Sequence, residues 1–254
     1  MDQGPKTIEA LTVPLRAYTA TATLVITAAL RLWAYKLAAL WHGRSPQRAR
    51  GIMQRWNWFA WKRLQLSVEV QGRPATTPCV YVANHRSYLD IAVLNGALGS
   101  AFLSRADVAR WPVFGAVAQE VGTVFVDRDA LHGRFRAARA LMHCVRETSV
   151  VVFPEGTTGG AQHPGPFEPG LFRLLGHLPV PVVPVTLRYS DRRAYWVDDL
   201  TLWEHLSTRV FRGTPLRCVV HVGESLSPST DDRALSQAAY AAICNPIDAY
   251  GELC

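Results

Sequence analysis

Paired cysteine is missing from this sequence. Its five cysteines (Cys79, Cys144, Cys218, Cys244 and Cys254) include no C-x-x-C and no spacing that suits a metal. An odd, unpatterned set excludes a disulfide-stapled scaffold and fits free, mostly buried thiols in a reducing compartment. A Gly-x-Ser-x-Gly elbow is also absent, so no serine nucleophile on a strand-to-helix turn is expected. The eight histidines lack ligand-like spacing, which argues against a metal-dependent hydrolase and for no bound metal. There is no internal repeat and no low-complexity segment. Acidic residues are scarce in the first 73 positions, where only Asp2, Glu9 and Glu69 stand against 11 Lys and Arg. Of the 27 Lys and Arg and 20 Asp and Glu in the whole chain, the remainder holds 16 and 17, so the basic excess lies entirely in the first third. Asp2 and Glu9 precede the first apolar run, no small-residue cleavage site follows, and a cleaved signal peptide is not expected.

What is present is a 254-residue chain, 49% hydrophobic and 19% charged, which is long enough to bury a large core. A basic region can serve nucleic acid or an anionic membrane surface. Here Trp33, Trp41, Trp56, Trp58 and Trp61, five of the eight tryptophans, are interleaved with the Arg and Lys. Tryptophan favours the headgroup level of a bilayer, so the expected partner is a membrane lipid surface and not nucleic acid. Residues 17–30 carry no charge, and the apolar character continues to Trp41 if Arg31 and Lys36 are admitted. Fourteen uncharged residues fall short of the roughly 20 that cross a bilayer. A re-entrant or interfacial helix is expected ahead of a single span, with a helix packed on a soluble domain as the plainer alternative. A second amphipathic helix is expected over 45–66, opening on Ser45-Pro46.

From residue 67 short apolar runs alternate with helical stretches. The expected fold is α/β, a mixed, largely parallel sheet flanked by helices, preceded by N-terminal membrane-associating helices. Two parts follow: a helical region over 1–66 and an α/β domain over 67–254.

The run "VYVANHRSYLD" (80–90) feeds a strand into Asn84-His85, with Asp90 five positions on. A strand's carboxyl end is where open α/β sheets collect ligands. Histidine can take a proton near neutral pH when a carboxylate fixes its tautomer. Residues five apart lie ~140° apart on a helix, so the pair can meet only if His85 precedes the helix and Asp90 sits in its first turn. Ser87 would then be the N-cap. The competing reading is a capping box, Ser87-x-x-Asp90, with Asp90 serving only backbone N–H groups. Two more strand ends carry polar residues: Arg128 after "GTVFV", suited to holding a phosphate, and Glu155-Gly156-Thr157 after "VVFP", suited to an anion-binding turn.

Together these residues resemble the glycerolipid acyltransferase family, typified by 1-acyl-sn-glycerol-3-phosphate acyltransferases. The Asn-His-x4-Asp motif is matched by Asn84, His85 and Asp90, the strand ending in Arg by Arg128, and Phe-Pro-Glu-Gly-Thr by Phe153 to Thr157. The Val-Pro-Val strand is matched by Val183 to Val185, with Phe167 and Gly170 in between. The resemblance spans roughly 67–190. It implies transfer of a fatty acyl group from acyl-CoA or acyl-carrier protein to a lysolipid hydroxyl, with no other cofactor. His85 would be the general base and Asp90 its orienting partner. Arg128, Glu155, Gly156 and Thr157 would bind the acceptor. The acceptor implied is 1-acyl-sn-glycerol 3-phosphate, and the place is the cytoplasmic face of the inner or plasma membrane. One departure bears on that acceptor: Thr158 stands where phosphatidate-forming members commonly have Arg. Either another cation such as Arg173 replaces it, or the acceptor is another lysolipid such as lyso-ornithine lipid. From a different class, the chain could be a catalytically silent lipid-binding relative.

Overall fold

The computed structural model of the chain describes residues 15–127, 131–197, 200–226, 229 and 231–250. β-Branched runs supply its strands: β1 (Leu66–Gln71), β2 (Val80–Ala83), β3 (Ala101–Arg105), β4 (Val124–Val126), β5 (Val150–Val152), β6 (Val182–Tyr189) and β7 (Leu216–Val222). They form one seven-stranded sheet in the order β1-β7-β6-β2-β5-β3-β4. Every neighbouring pair is parallel except β6 with β7. The central strands β2, β5 and β6 are buried along their whole length, as a sheet covered on both faces requires. Pro184, paired with Val82 of β2, is tolerated inside β6 because it lies at the end of the β7 ladder, where its carbonyl still accepts the Gly223 N–H at 2.9 Å.

The helices are α1 (Leu15–His42), α2 (Pro46–Arg63), α3 (Leu89–Leu98), α4 (Phe114–Glu120), α5 (Leu131–Cys144), α6 (Pro169–Leu175), α7 (Leu202–Thr208) and α8 (Asp232–Tyr250). Pro112 lies in the short break between a 3-10 turn, Ala106–Arg110, and α4. One face of the sheet packs against α1, α2 and α3, through Leu24, Trp56, Leu89 and Val93. The other packs against α5, α6 and α8, through Leu141, Phe172 and Ile243. The short helices α6 and α7 are not signalled by hydrophobic periodicity. Thr201 caps α7 in a reciprocal capping box with Glu204.

The first helix is continuous over 28 residues, ~42 Å at 1.5 Å per residue. Its buried positions Ala17, Ala20, Thr21, Leu24, Ala28 and Tyr35 recur at helical spacing and face the rest of the protein. Its outer positions are also apolar: Ile26, Leu30, Trp33, Leu37, Leu40 and Trp41 are exposed, Trp41 by 83%. By length and composition it could cross a membrane. Ser45 caps α2 by accepting the Arg48 N–H, Pro46 follows at N1, and the Tyr35 hydroxyl locks the turn by bonding both Ser45 backbone groups. The second helix is sealed onto the domain: Arg50 donates to the Val121 carbonyl and the Trp56 indole to Thr27 Oγ1. Gly96 lets α3 approach α2, since a Cβ there would lie 2.2 Å from the Trp61 ring. β1 begins at Leu66, and α1 and α2 share one hydrophobic core with the sheet.

Candidate active site

The site begins where β2 stops. Asn84 is completely buried, and its side chain continues the ladder that the backbone gives up. Its amide donates to the Leu187 carbonyl at 3.0 Å and its oxygen accepts the Leu187 N–H at 2.7 Å. Asparagine suits this clamp because one planar group both donates and accepts. The chain is thereby released from the sheet at His85.

His85 is held by its own backbone. Its N–H donates to Glu155 Oε1 at 2.7 Å, and its carbonyl accepts the Gly159 N–H at 3.0 Å. The imidazole stacks on Phe153, centroids 3.9 Å apart and planes 14° apart. His85 Nδ1 lies 2.8 Å from Asp90 Oδ2. The same oxygen accepts the backbone N–H groups of Arg86 at 2.6 Å and Ser87 at 2.9 Å, so the two roles weighed for Asp90 are both filled. With donors already converging on this buried carboxylate, Nδ1 carries the hydrogen and Nε2 presents its lone pair. The helix starts later than expected: α3 opens at Leu89 after Tyr88, and the Ser87 hydroxyl accepts the Leu89 N–H. Ser87 therefore acts inside the turn and is not the cap residue.

Glu155 sits behind this turn with its side chain only 4% exposed. Oε1 takes the His85 N–H, and Oε2 takes the Gly165 N–H at 2.7 Å. Burial raises its proton affinity, opposed by those two bonds and by Arg86. The Arg86 guanidinium, 1% exposed, lies 3.8 Å from Glu155 Oε2, donates to the Gln162 carbonyl and covers the Tyr195 ring. Gly156 has φ +73° in the tight turn after Pro154, which a side chain would strain. Thr157 is exposed beside it. The structure thus brings His85, Asp90 and the Glu155–Thr157 turn together. Arg128 lies outside the described residues. Thr158 donates to the Trp196 carbonyl at 2.7 Å, and Arg173 pairs with Asp232 on the surface at the start of α8. The Arg173 guanidinium is engaged with α8.

Beside the dyad lies an apolar cavity of about 200 Å³ between α1, α2, α3 and α4. Tyr88 and Leu89, just after His85, line it, as does Phe102, whose ring lies 6.4 Å from that of Phe153. A path of aromatic rings therefore links the imidazole to the cavity. Sequence reasoning missed three supporting residues: Phe153 as the stacking partner, Arg86 as a buried cation, and Tyr189, whose hydroxyl donates to Asp90 Oδ1 at 2.7 Å. Nothing local marks Tyr189, because it reaches Asp90 across 99 residues. Among the described residues no group of three or more His, Cys, Asp or Glu side chains converges as a metal site would require.

A mostly parallel sheet with a His–Asp pair at a central strand's carboxyl end, and an apolar cavity beside it, is the architecture of an α/β enzyme that takes a partly apolar ligand. The chain belongs to the acyltransferase family, whose profile, described as Acyltransferase, matches residues 67–188. It is 31% identical over 207 residues to lyso-ornithine lipid O-acyltransferase of Pseudomonas aeruginosa, covering 78% of this chain and 79% of that protein. It is 33% identical over 132 residues to 1-acyl-sn-glycerol-3-phosphate acyltransferase of Neisseria gonorrhoeae, covering about half of each, 50% and 51%. The crystal structure of the 1-acyl-sn-glycerophosphate acyltransferase of Thermotoga maritima shares the fold, with a TM-score of 0.67 over 92% of this chain and 93% of that one at 19% identity.

Proposed function

We propose that this chain is a membrane-associated lysolipid O-acyltransferase that uses acyl-CoA or acyl-carrier protein as donor. The observation that carries this is the His85–Asp90 pair, 2.8 Å apart, with a largely apolar cavity beside it that is lined by the adjacent Tyr88 and Leu89. The acyl chain of the donor lies in the cavity, which brings its thioester carbonyl to the imidazole. His85 Nε2 takes the proton of the acceptor hydroxyl as its oxygen bonds to that carbonyl carbon. The tetrahedral adduct collapses, the carbon–sulfur bond breaks, and His85 passes its proton to the departing sulfur, which leaves as the thiol and restores the base. Asp90 fixes the ring and stabilises the transient imidazolium. The turn at Gly156 and Thr157, with Arg128 after β4, binds the acceptor headgroup.

The outer face of α1, with Trp33 and Trp41, rests in the membrane interface while its inner face walls the cavity. The donors are cytoplasmic molecules, so the site addresses the cytoplasmic leaflet. For the acceptor, 1-acyl-sn-glycerol 3-phosphate is the reading the family motifs carry. Lyso-ornithine lipid is favoured by one observation: the threonine at 158 is spent on the Trp196 carbonyl, and Arg173 is committed elsewhere. The test is a panel of lysolipids with labelled acyl-CoA and purified protein, beside a His85→Ala variant. Transfer should fall about 10²–10⁴-fold in the variant. Full transfer by that variant would remove His85 as base, and the preferred lysolipid decides the acceptor.

A further inference from the structure

The acyltransferase reading leaves the Asp90 carboxylate with a bond it does not explain. Oδ2 is saturated by His85, Arg86 and Ser87, all from the same five-residue turn. Oδ1 accepts from the Tyr189 hydroxyl at the last residue of β6. Asp90 has no Lys or Arg in ion-pair contact among the described residues, and it is completely buried. The three donors on Oδ2 already resist rotation of the carboxylate, but all come from its own turn. The Tyr189 bond adds an anchor on the opposite oxygen from a separate strand, which ties the carboxylate plane to the sheet and draws off part of its charge.

We propose that Tyr189 is a positioning residue for this reaction, which rests on the acyltransferase reading: its hydroxyl fixes the plane of Asp90 and moderates how strongly Asp90 holds the protonated imidazole. The tyrosine is rigid. Its ring meets that of Tyr195 edge-on, with centroids 6.4 Å apart, and its strand is clamped to β2 through Asn84 and Leu187. Burial and the adjacent Asp90 hold the phenol well above its ordinary range, so it remains a donor at every working pH. The other titratable or charged groups around the pair are Glu155 and Arg86 behind His85, and the buried Cys218 thiol on β7 beside Tyr189. Removing the phenol leaves Asp90 with one donor fewer, so its negative charge falls more heavily on the imidazolium. The protonated ring is then favoured, and a general base is inactive when protonated.

The decisive variant is Tyr189→Phe, which keeps the ring and deletes the bond. Its acid limb in kcat/KM against pH should move to higher pH, with kcat lower by about 10-fold or more and acceptor KM unchanged. Fluorotyrosine placed at 189, a stronger donor, should move the limb the other way. It also preserves packing if the phenylalanine variant folds poorly. The His85 ring titration, followed by NMR in the resting protein, reads the same displacement without turnover. If no lysolipid is acylated by the wild type, the functional reading fails while this titration still judges Tyr189. An acid limb and a ring titration that both stay put in the two variants would overturn the proposal and leave Tyr189 as core packing.

Discussion

Glu155 offers the sharpest test of what the Phe-Pro-Glu-Gly-Thr turn is for. If it contacts the acceptor, Glu155→Gln should raise acceptor KM and leave the fold alone. The structure argues for a different loss. Both carboxylate oxygens accept backbone N–H groups at 2.7 Å, from His85 and Gly165, and the side chain is almost fully buried beside Arg86. Glutamine retains one carbonyl oxygen, so one N–H bond survives while an amide N–H faces the other donor. Losing one charge-assisted bond, and weakening the support of a buried guanidinium, should cost about 2–4 kcal/mol of stability. The His85 backbone would shift with it, and a misplacement of the base near 1 Å costs on the order of 10² in rate. Urea unfolding in detergent micelles, read by tryptophan fluorescence, gives the first quantity, and steady-state kinetics give the second. The expected outcome is a lower midpoint and a lower kcat at unchanged KM. A raised KM with wild-type stability and kcat would refute the brace and restore Glu155 to the acceptor pocket.

Other consequences can be checked separately. Asn84→Ala strands the buried Leu187 N–H and C=O and should cost about 2–4 kcal/mol in denaturant unfolding; a loss below the error of that measurement would remove the clamp. Ala60→Phe grows a ring into the cavity, so among acyl-CoAs of graded length the optimum should shift to shorter chains, and an unmoved optimum would place the acyl chain elsewhere. Burial holds the proton affinity of His205 below its ordinary value, while its ring bonds the Tyr88 hydroxyl and the Arg193 carbonyl. Its contribution to stability is therefore complete above the unfolded value of about 6.5 and is lost as pH falls toward the lowered folded value. His205→Gln should flatten that acid-side decline in unfolding free energy, and parallel pH curves would contradict it. Replacing Leu30 and Leu37 together by Glu on the outer face of α1 should sharply reduce sedimentation with anionic vesicles; retained binding would exclude this face as the membrane contact.

The parts of this site that could be read from sequence are those in which partners lie close along the chain. His85 and Asp90 are five apart, so spacing limits how they can meet to a helix start, while the other strand-end motifs favour the dyad over a plain capping box. The same logic misjudged its boundary, because Ser87 bonds the Leu89 N–H from within the turn and the helix opens two residues later. The strands announced themselves through β-branched runs, and β6 stood out as eight consecutive buried residues. What stayed hidden is long-range. Tyr189 and Leu187 look like ordinary residues of an apolar strand until β6 is laid beside β2, and Glu155 looks like a ligand until the His85 N–H is found pointing at it. Short helices such as α6 and α7 fall below the length at which periodicity can be recognised.

The apolar face of α1 suggests truncation as the way to a freely soluble enzyme, yet Thr21, Leu24 and Val25 of that helix form part of the cavity wall. On the proposed reading, the partition between bilayer and acyl chamber is a single helix, ~10 Å across. Deleting it would open the chamber to water on one whole side. Solubilisation by engineering would have to recolour the outward positions, such as Trp33, Leu37 and Trp41, and keep the inward ones. The same thin wall makes the lipid around the protein a modulator of its chamber: lateral pressure on α1 bears directly on the volume within, so acyl-length preference should vary with bilayer composition.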